Sequence, residues 1–261
     1  MAQRGDAGGL DGRVVIVTGA SRGIGKGLAL GYAEHGAAVV CAARSVRATP
    51  SDLPGTIEDT VETINQAGGR AVAVRCDVGI QSDLDELVSR TIDEFGRVDA
   101  LMNNAMAPTQ APFDESTVEQ WDESMRVNVR SLYLLAKLVE PHMTAQGGGA
   151  IINMSSHGAD HSVAPYMPPG YMTYAVAKAA MERFTTALAP ELVGRGITVN
   201  VLRPGAVKTE MTTLEYGDDH DWTGWTEPVA VVPAAVFLAQ QIATDFTGRI
   251  VDAGSFGISW P

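Results

Sequence analysis

Seven short apolar runs, rich in β-branched residues, recur along this chain and alternate with longer segments of helical periodicity. Near-continuous apolar runs are typical of strands that are covered on both faces, as in a parallel sheet. Parallel neighbours in one sheet need crossover connections, which are almost always right-handed. We therefore predict an α/β protein with a doubly wound, seven-stranded parallel sheet and helices on both faces. The predicted strands are residues 14–18, 38–43, 71–75, 98–102, 150–154, 197–203 and 249–252.

The segments between these strands carry the helical signal. Ile57, Val61 and Ile64, for example, share one helix face, and Gly68 stands where that helix should stop. No linker, low-complexity segment or block of charge divides the 261 residues. We expect a single domain over residues 1–261, with a flexible, polar and glycine-rich N-terminus at residues 1–11.

The overall composition excludes several classes of function. The chain carries 31 acidic against 19 basic residues, a formal net charge of −12. Nucleic acid and anionic membrane surfaces would repel such a protein, so neither is expected as the main partner. The two cysteines make no disulfide framework and no metal-ligand spacing. No apolar run is long enough to cross a membrane and no secretory signal is visible, so we expect a cytoplasmic protein.

A glycine-rich turn joins the first predicted strand to the first helix. Its three glycines allow a tight turn and a close approach of the backbone to a ligand. The N–H groups at the start of the helix, together with the helix dipole, favour a pyrophosphate. We therefore expect a dinucleotide to bind at this turn. The expected contacts are Gly19, Ser21, Arg22, Gly23, Ile24 and Gly25.

The same turn leaves an alternative open. Residues 19–23 also satisfy the G-x-S-x-G pattern of the nucleophile elbow in α/β-hydrolases, which lies between a strand and a helix. Four histidines lie downstream, as a hydrolase triad would need: His142, His157, His161 and His220. However, the elbow normally follows several strands, whereas this turn follows the first. The dinucleotide turn is therefore favoured.

The end of the second strand indicates which dinucleotide is preferred. An enzyme that prefers NAD places a carboxylate here to accept from the ribose 2′-OH, whereas NADP calls for an arginine. No acidic residue lies between positions 37 and 47, and Arg44 is in place. Arg22 in the glycine turn could reach the same phosphate. NADP(H) is favoured, with NAD(H) or merely solvated surface arginines as the alternatives.

Tyr174 and Lys178 lie four residues apart at the start of a strongly helical segment, so their side chains share a face. A nearby ammonium favours the tyrosinate and brings the phenol toward proton donation and acceptance. Ser156 follows the fifth strand, where its hydroxyl could hydrogen-bond a substrate oxygen. Taken alone, a Tyr and a Lys at this spacing are common and could be an exposed helical pair.

Together these motifs resemble the short-chain dehydrogenase/reductase family, over about residues 12–254. The motifs are the glycine turn, Asn103-Asn104-Ala105, Ser156, Tyr174 with Lys178, and the segment from Pro204-Gly205 to Thr209. The resemblance implies an oxidoreductase that transfers a hydride between NADP(H) and a carbonyl or alcohol substrate. The long 43–57 connection is similar to that of hydroxysteroid and terpenoid-alcohol dehydrogenases, which favours a hydrophobic ketone, aldehyde or secondary alcohol.

The resemblance also implies roles for individual residues. Tyr174 would be the general acid/base, Lys178 would lower its pKa and hold the nicotinamide ribose, and Ser156 would orient the substrate oxygen. Asn128 would anchor a water in a proton relay from the lysine. The further cofactor contacts implied are Arg44, Asp77, Val78, Asn103, Ala105, Tyr174, Lys178, Pro204, Gly205, Val207 and Thr209.

Two features depart from the family pattern. Met106 replaces the last glycine of the family's Asn-Asn-Ala-Gly motif, which puts a side chain beside the cofactor or the substrate. Residues 157–173 form a longer connection than usual. Because of this length, Ser155 or Ser162 could be the serine that matches the family's, in place of Ser156.

The substrate pocket is expected between that connection and residues 212–227, which correspond to the substrate lid of the family. This segment is acidic and aromatic and lacks periodicity, which favours a neutral or apolar substrate over a polyanionic one. Ordinary loop packing and an acidic surface loop are the alternatives. The expected pocket residues are Met106, His157, Tyr166, Tyr171, Trp222 and Trp225.

His157 and His161, with Asp160 between them, could hold a metal ion. Gly158 weakens the helix that would align the two imidazoles, and the family needs no metal, so no metal site is expected. Family members usually assemble through flanking helices, here residues 114–141 and 174–194. We expect a homo-oligomer, a tetramer or dimer, that acts on a small molecule. The alternative is a catalytically quiet regulatory or scaffold protein that binds NAD(P) on the same fold.

Overall fold

The computed structural model describes residues 9–47, 53–162, 168–217, 219–241 and 246–261. In these ranges seven strands form one parallel sheet: β1 (Val14–Thr18), β2 (Ala38–Ala43), β3 (Arg70–Arg75), β4 (Ala100–Asn103), β5 (Gly149–Met154), β6 (Ile197–Arg203) and β7 (Ile250–Asp252). Their order is β3-β2-β1-β4-β5-β6-β7. The chain builds outward from β1 and then crosses back to β4, so the switch point lies between β1 and β4. The predicted doubly wound α/β fold is confirmed.

Eight α-helices connect or follow the strands within the described residues: α1 (Gly23–Glu34), α2 (Ile57–Gln66), α3 (Gln81–Phe95), α4 (Val118–Met125), α5 (Ser131–Ala145), α6 (Met172–Leu192), α7 (Glu210–Tyr216) and α8 (Val232–Gln240). Side chains alternate between the sheet faces, because successive residues of a strand point to opposite sides. Val15 and Val17 of β1 join α1, α2 and α8 in one core, whereas Val14 and Ile16 join α3, α5 and α6 in the other.

A π-helical turn, Arg126–Arg130, joins α4 to α5 without a break. This long helical unit starts at Val118 rather than at the predicted residue 114, because Thr117 and Gln120 form a capping box there. Single π-turns inside α-helices frequently mark functional sites. This one carries Asn128, so the turn places a candidate site residue.

Two segments differ from the sequence-based expectations. Residues 1–8 lie outside the described residues, but Leu10 is fully buried, and its N–H donates to the His35 carbonyl at 3.0 Å. Leu10 therefore belongs to the core rather than to a flexible terminus. Although the sequence of residues 212–227 shows no periodicity, residues 210–216 form α7, which Thr209 caps at its N-terminus. Among the described helices, none has the length and apolar character needed to span a membrane.

Candidate active site

The glycine turn lies between β1 and α1, at the carboxyl end of the sheet. Gly19 and Gly23 have φ angles of 70° and 55°, which favour glycine. A Cβ at Gly25 would lie 2.1 Å from the Gly19 carbonyl oxygen, so a side chain cannot fit there. Asn104 locks the turn, since its Nδ2 donates to the Thr18 carbonyl at 3.0 Å and its N–H to Thr18 Oγ1 at 3.0 Å. The sequence motif contains Asn104, but its structural role was not predicted.

The start of α1 can bind an anion through its backbone N–H groups. The N-cap residue Arg22 makes no side-chain bond to the helix, and the first turn of α1 holds no acidic residue. Instead, the Gly23 N–H donates to Glu210 Oε2 at 2.9 Å. A carboxylate oxygen thus lies where a phosphate oxygen is expected at a helix N-terminus. The residues present therefore fit the pyrophosphate of a dinucleotide, and buried Ser21 and half-buried Ile24 flank this position.

Both arginines predicted near a 2′-phosphate lie at the carboxyl end of β2. Arg44 is exposed directly after the strand. The Arg22 guanidinium donates to the carbonyls of Pro54 and Gly55, both at 2.9 Å, and to Ser45 Oγ at 3.3 Å. Arg22 is therefore held over the end of β2 by the connection that follows the strand.

The other expected cofactor residues follow the strands β3, β4 and β6. Asp77 accepts from the Gly79 N–H at 2.9 Å, beside buried Val78. Asn103 is buried and donates to Asn153 Oδ1 at 2.8 Å, and the Ala105 N–H donates to Thr18 Oγ1 at 3.1 Å.

The segment after β6 completes this set. Pro204 and Gly205 follow the strand directly, Gly205 with a φ of 81°. Val207 is buried and bridges to Thr226, and Thr209 caps α7. The structure therefore gathers the predicted cofactor residues along the carboxyl edge of the sheet.

Tyr174 and Lys178 lie on one face of α6, pointing toward the end of β5. Lys178 is only 2% exposed; its Nζ donates to the Met154 carbonyl at 2.7 Å and lies 5.6 Å from the centroid of the Tyr174 ring. The Ser156 hydroxyl faces the Tyr174 phenol. The Tyr–Lys pair is therefore not an exposed helical pair, because the ammonium is buried under the phenol.

Burial and nearby charges shift the pKa values of both Tyr174 and Lys178. Burial raises the pKa of Tyr174, the contact with Ser156 lowers it, and the negative charge of Glu215 raises it. The pKa therefore lies above the ordinary value, whereas the family resemblance implied that Lys178 would lower it. Burial lowers the pKa of Lys178 to about 8, against the opposing effect of Glu182. At neutral pH the lysine is still an ammonium.

The geometry separates the three candidate serines. Ser155 is 2% exposed and donates to Glu182 Oε1 at 2.7 Å, and Ser162 is exposed and donates to Asp160 Oδ1 at 2.8 Å. Of the three, Ser156 is the one that faces Tyr174.

Asn128 is fully buried in the π-turn, where its amide holds the connection after β4. Its Oδ1 accepts from the Ala107 N–H at 3.1 Å, and its Nδ2 donates to the Ala107 carbonyl at 3.3 Å and to Ser124 Oγ at 3.1 Å. Both amide protons are therefore used within the protein. Half-buried Met106, next to Ala107, is positioned by these bonds.

Tyr171 connects the candidate catalytic tyrosine to the 212–227 segment. Its ring meets the ring of Tyr174 edge-on, with centroids 6.2 Å apart. Its hydroxyl donates to the Glu215 carboxylate and lies 3.3 Å from the Tyr216 hydroxyl. Burial, and next the bond to Glu215, raise the pKa of Tyr171. A carboxylate therefore stands beside the phenol pair.

The tryptophans expected in the pocket pack mainly on their own segment. Trp222 and Trp225 form a cluster with Tyr216 and His220, with ring centroids 4.8–6.4 Å apart. Lys208 Nζ lies 4.9 Å from the centroid of the Trp222 ring. An open cleft of about 780 Å³ separates Leu53 and Pro54 from residues 208–217 and 227–228. Tyr166, the remaining pocket prediction, lies outside the described residues.

His157, expected at the pocket, has its exposed ring at the end of β7, with Nε2 2.6 Å from Asp252 Oδ1. Asp160 bonds Ser162 and approaches Arg203 rather than a histidine. Within the described ranges, no cluster of three or more His, Cys, Asp or Glu side chains could hold a metal ion.

Four acidic or basic residues at the site were not predicted. Glu182 follows Lys178 by one helical turn, a spacing that could have identified it, and it pairs with Arg203 at the end of β6. Glu210 directly follows the Thr209 of the family motif. Glu215 belongs to the acidic 212–227 segment, but nothing in the sequence placed it beside Tyr171 and Tyr174.

Comparison with known proteins finds relatives over most of the chain. The family model for short chain dehydrogenase matches residues 13–219. The chain is 34% identical to a 3-oxoacyl-[acyl-carrier-protein] reductase of Synechocystis sp. over 246 residues, or 89% of this chain and 94% of that protein.

Two solved structures have the same fold over nearly their whole length. One, from Beutenbergia cavernae and assigned as an NAD(P)-dependent gluconate 5-dehydrogenase, contains NADP at low occupancy; its TM-score is 0.82 at 31% identity, covering 97% of this chain and all of the other. A 7α-hydroxysteroid dehydrogenase in complex with NADH and 7-oxo glycochenodeoxycholic acid has a TM-score of 0.83 at 29% identity, covering 96% of each chain.

The two solved structures decide between the two interpretations of the glycine turn, because they share the fold over nearly the whole chain and both are described as dehydrogenases. The chain belongs to the short-chain dehydrogenase/reductase family and is an NAD(P)-dependent oxidoreductase.

Proposed function

We propose that this enzyme interconverts a neutral, hydrophobic ketone or aldehyde with its alcohol by using NADP(H), and that Tyr174 is its general acid/base. The observation that carries the proposal is the Tyr174 phenol, which lies over a buried ammonium on the same helix face and faces the Ser156 hydroxyl. A protein that only binds the dinucleotide has no need of this arrangement.

The residues of the chain supply the proton chemistry. A bound nicotinamide dinucleotide supplies or accepts the hydride. In reduction, Ser156 donates a hydrogen bond to the carbonyl oxygen of the substrate, and Tyr174 delivers its proton to that oxygen. Lys178 stabilises the tyrosinate that remains, since a cation favours the charged form of the phenol. Oxidation of the alcohol uses the same groups in reverse.

Cofactor preference follows from Arg22 and Arg44. Both lie at the carboxyl end of β2, where a 2′-phosphate is expected, and no acidic residue between positions 37 and 47 takes the place of a ribose-binding carboxylate. A guanidinium can bind a phosphate through two parallel hydrogen bonds. NADP(H) is therefore the proposed cofactor and NAD(H) the weaker one, although one structural relative contains NADP and the other NADH.

The charge of the 212–227 segment supports a neutral substrate, with this segment as the substrate lid. Glu215 lies beside Tyr171 and acts on Tyr174, so an anionic group near the reacting carbonyl would be repelled. The aromatic cluster of Trp222 and Trp225 offers apolar surface nearby. We therefore favour a hydrophobic ketone over the thioester of an acidic carrier protein.

Replacement of Tyr174 by Phe tests the proposal. The variant should lose at least about 1,000-fold in kcat, because it cannot transfer the proton, while its affinity for NADPH stays close to that of the wild type. Steady-state rates with a panel of ketones and alcohols, and NADPH binding by fluorescence titration, measure both. Tyr133→Phe, an exposed tyrosine on α5, is the matched control.

Two results would contradict the proposal. Turnover retained by Tyr174→Phe would remove the proposed acid/base, and a wild-type enzyme inactive with every carbonyl and alcohol would favour a quiet NAD(P)-binding protein. In the same panel, a preference for carboxylated ketones or thioesters over neutral ones would contradict the proposed substrate class.

Assembly and location are part of the same proposal. We propose a dimer or tetramer formed through α4, α5 and α6, which expose Trp121 and Val176 to 38% and 39%. Sedimentation velocity tests this, and a monomer at micromolar concentration would contradict it.

The buried free thiols of Cys41 and Cys76 suit a reducing compartment, so the proposed location is the cytoplasm.

A further inference from the structure

A single buried carboxylate joins three parts of the candidate site. Glu182 lies on α6, one helical turn after Lys178, and is 7% exposed. Its Oε1 accepts from Ser155 Oγ at 2.7 Å, in the residue directly before Ser156. Arg203, the last residue of β6, donates to the same carboxylate through Nε to Oε1 and through Nη2 to Oε2, both at 2.8 Å. The helix, the corner after β5 and the corner after β6 therefore meet at Glu182.

Each of these corners carries residues of the proposed mechanism. Ser156 follows Ser155, and the cofactor segment that begins with Pro204 follows Arg203. The two-pronged pairing of Arg203 with Glu182 fixes direction as well as distance, because the guanidinium is planar and rigid. The Arg203–Glu182 pairing therefore fixes the Ser156 hydroxyl and the Pro204 segment relative to α6, which carries Tyr174 and Lys178.

We propose that Glu182 is a positioning residue, which with Arg203 aligns the Ser156 and Pro204 corners with Tyr174 and places a buried negative charge one helical turn from Lys178. The inference rests on the proposed function of Tyr174, Lys178 and Ser156. A purely structural ion pair is the competing explanation, since breaking a buried pair destabilises a protein whatever its role.

The charges around Lys178 support an electrostatic part of this role. The titratable group that acts on its ammonium is Glu182, which opposes the effect of burial, and the Tyr174 ring lies over it. Arg203 in turn faces Glu182, Asp160 and Asp252. Removal of the Glu182 charge takes away the anion that holds the proton on Lys178, so the lysine should deprotonate at lower pH.

Glu182→Gln tests the proposal, because glutamine keeps the shape and an acceptor for Ser155 but not the charge. We expect kcat for carbonyl reduction to fall about 30-fold, as for a misaligned site. The alkaline limb of the kcat/KM profile, set by Lys178, should move down by about one pH unit. Glu191→Gln, an exposed carboxylate on the same helix, should change neither quantity.

Two further variants separate positioning from stability. Glu182→Gln with Arg203→Met removes both charges, so its melting temperature should recover toward that of the wild type, but kcat and the alkaline limb should not. Arg203→Lys keeps the cation and loses the two-pronged bond. It should keep the wild-type alkaline limb and lose several-fold in kcat. These two variants decide the question even if Glu182→Gln does not fold.

The proposal is overturned if the charge-free double variant regains both stability and kcat, or if folded Glu182→Gln has the wild-type rate and pH profile. Tyr174→Phe, measured beside them, distinguishes a failure of this inference from a failure of the proposed function. Activity in Tyr174→Phe would refute the proposed function itself, whereas an inactive Tyr174→Phe with a fully active Glu182→Gln would refute this inference alone.

Discussion

The two walls of the candidate site are built in different ways. One wall, α6 with the ends of β5 and β6, is buried and tied together by short hydrogen bonds, as at Lys178 and Glu182. In the other wall, residues 209–217 and 219–227, every residue is at least partly exposed to solvent. Its rings pack on one another, and polar contacts of Glu210 and Glu215 join it to α1 and to Tyr171.

This difference suits the buried wall to proton transfer and the exposed wall to selection of the substrate. Proton transfer needs groups that are held in place before the substrate arrives, and the buried wall supplies them. Segments with few buried apolar contacts to the rest of the fold open most easily, and ligand-binding loops are drawn from them. Small changes in the buried wall and the glycine turn should therefore impair function, whereas changes in the exposed wall should alter affinity with little effect on stability.

Among the variants that test this comparison, the largest effect is expected for Gly25→Ala, which tests how rigid the glycine turn is. The added Cβ would lie 2.1 Å from the Gly19 carbonyl oxygen, so the turn must shift away from its phosphate-binding shape. We expect affinity for NADPH to fall about 100-fold, or about 3 kcal/mol, as measured by calorimetric titration.

Gly194→Ala is the control, because no atom lies within 4 Å of a Cβ at that position. Wild-type affinity in folded Gly25→Ala would show that the turn can adapt, and would break the distinction between the two parts of the site.

The second largest effect concerns the stability that the protein loses by burying the Lys178 ammonium. Lysine titrates near 10.4 in an unfolded chain, whereas burial lowers the pKa of Lys178 to about 8. Between these pH values the unfolded state binds more protons, so the free energy of unfolding rises with pH, and below pH 8 the full penalty applies. Lys178→Met should therefore be more stable at pH 7 by about 2 kcal/mol, after allowance for the lost bond to Met154.

Urea unfolding at pH 7 and pH 10 measures this gain, which should shrink as the pH rises. Lys137→Met on α5, an exposed lysine, should show no such gain. A Met variant less stable than the wild type at pH 7 would mean that the buried ammonium stabilises the fold instead of destabilising it.

Much of the fold could be predicted because its signals are local. Apolar runs predicted the strands to within about two residues, and Gly68, predicted as a helix stop, lies just after α2 with a φ of 86°. Helical spacing also placed Tyr174 and Lys178 on one face. The α7 helix escaped prediction because its seven residues are too few to show a period.

The contacts that shape the site could not be predicted, because they join distant parts of the chain. Glu210 and Gly23 are 187 positions apart, and no pattern in either segment indicates the other. Glu182 could be placed on the Lys178 face by spacing, but its partner Arg203 depends on how β6 meets α6. The sequence shows that Glu215 is acidic but not where its side chain lies. Only the packing of α7 against Tyr171 brings it to the site.

The smallest effect tests the exposed wall at its contact with α1. The Glu210 carboxylate accepts from the Gly23 N–H at 2.9 Å, where it competes with a cofactor phosphate for the same donor and the same helix dipole. Glu210→Gln keeps the length and an acceptor but removes the charge. Affinity for NADPH should rise about threefold at low salt, and the gain should fade at high salt because the charge effect is screened. Fluorescence titration at two salt concentrations measures it.

Glu227→Gln, which lines the same cleft, separates a local competition from a general loss of negative charge. Competition at Gly23 predicts a gain for Glu210→Gln alone, whereas equal gains in both variants would reduce the effect to the net charge of the cleft. Weaker binding by Glu210→Gln would have the opposite meaning: the carboxylate would then be a support that holds α7 in place for the cofactor, and the exposed wall would share the rigidity of the buried one.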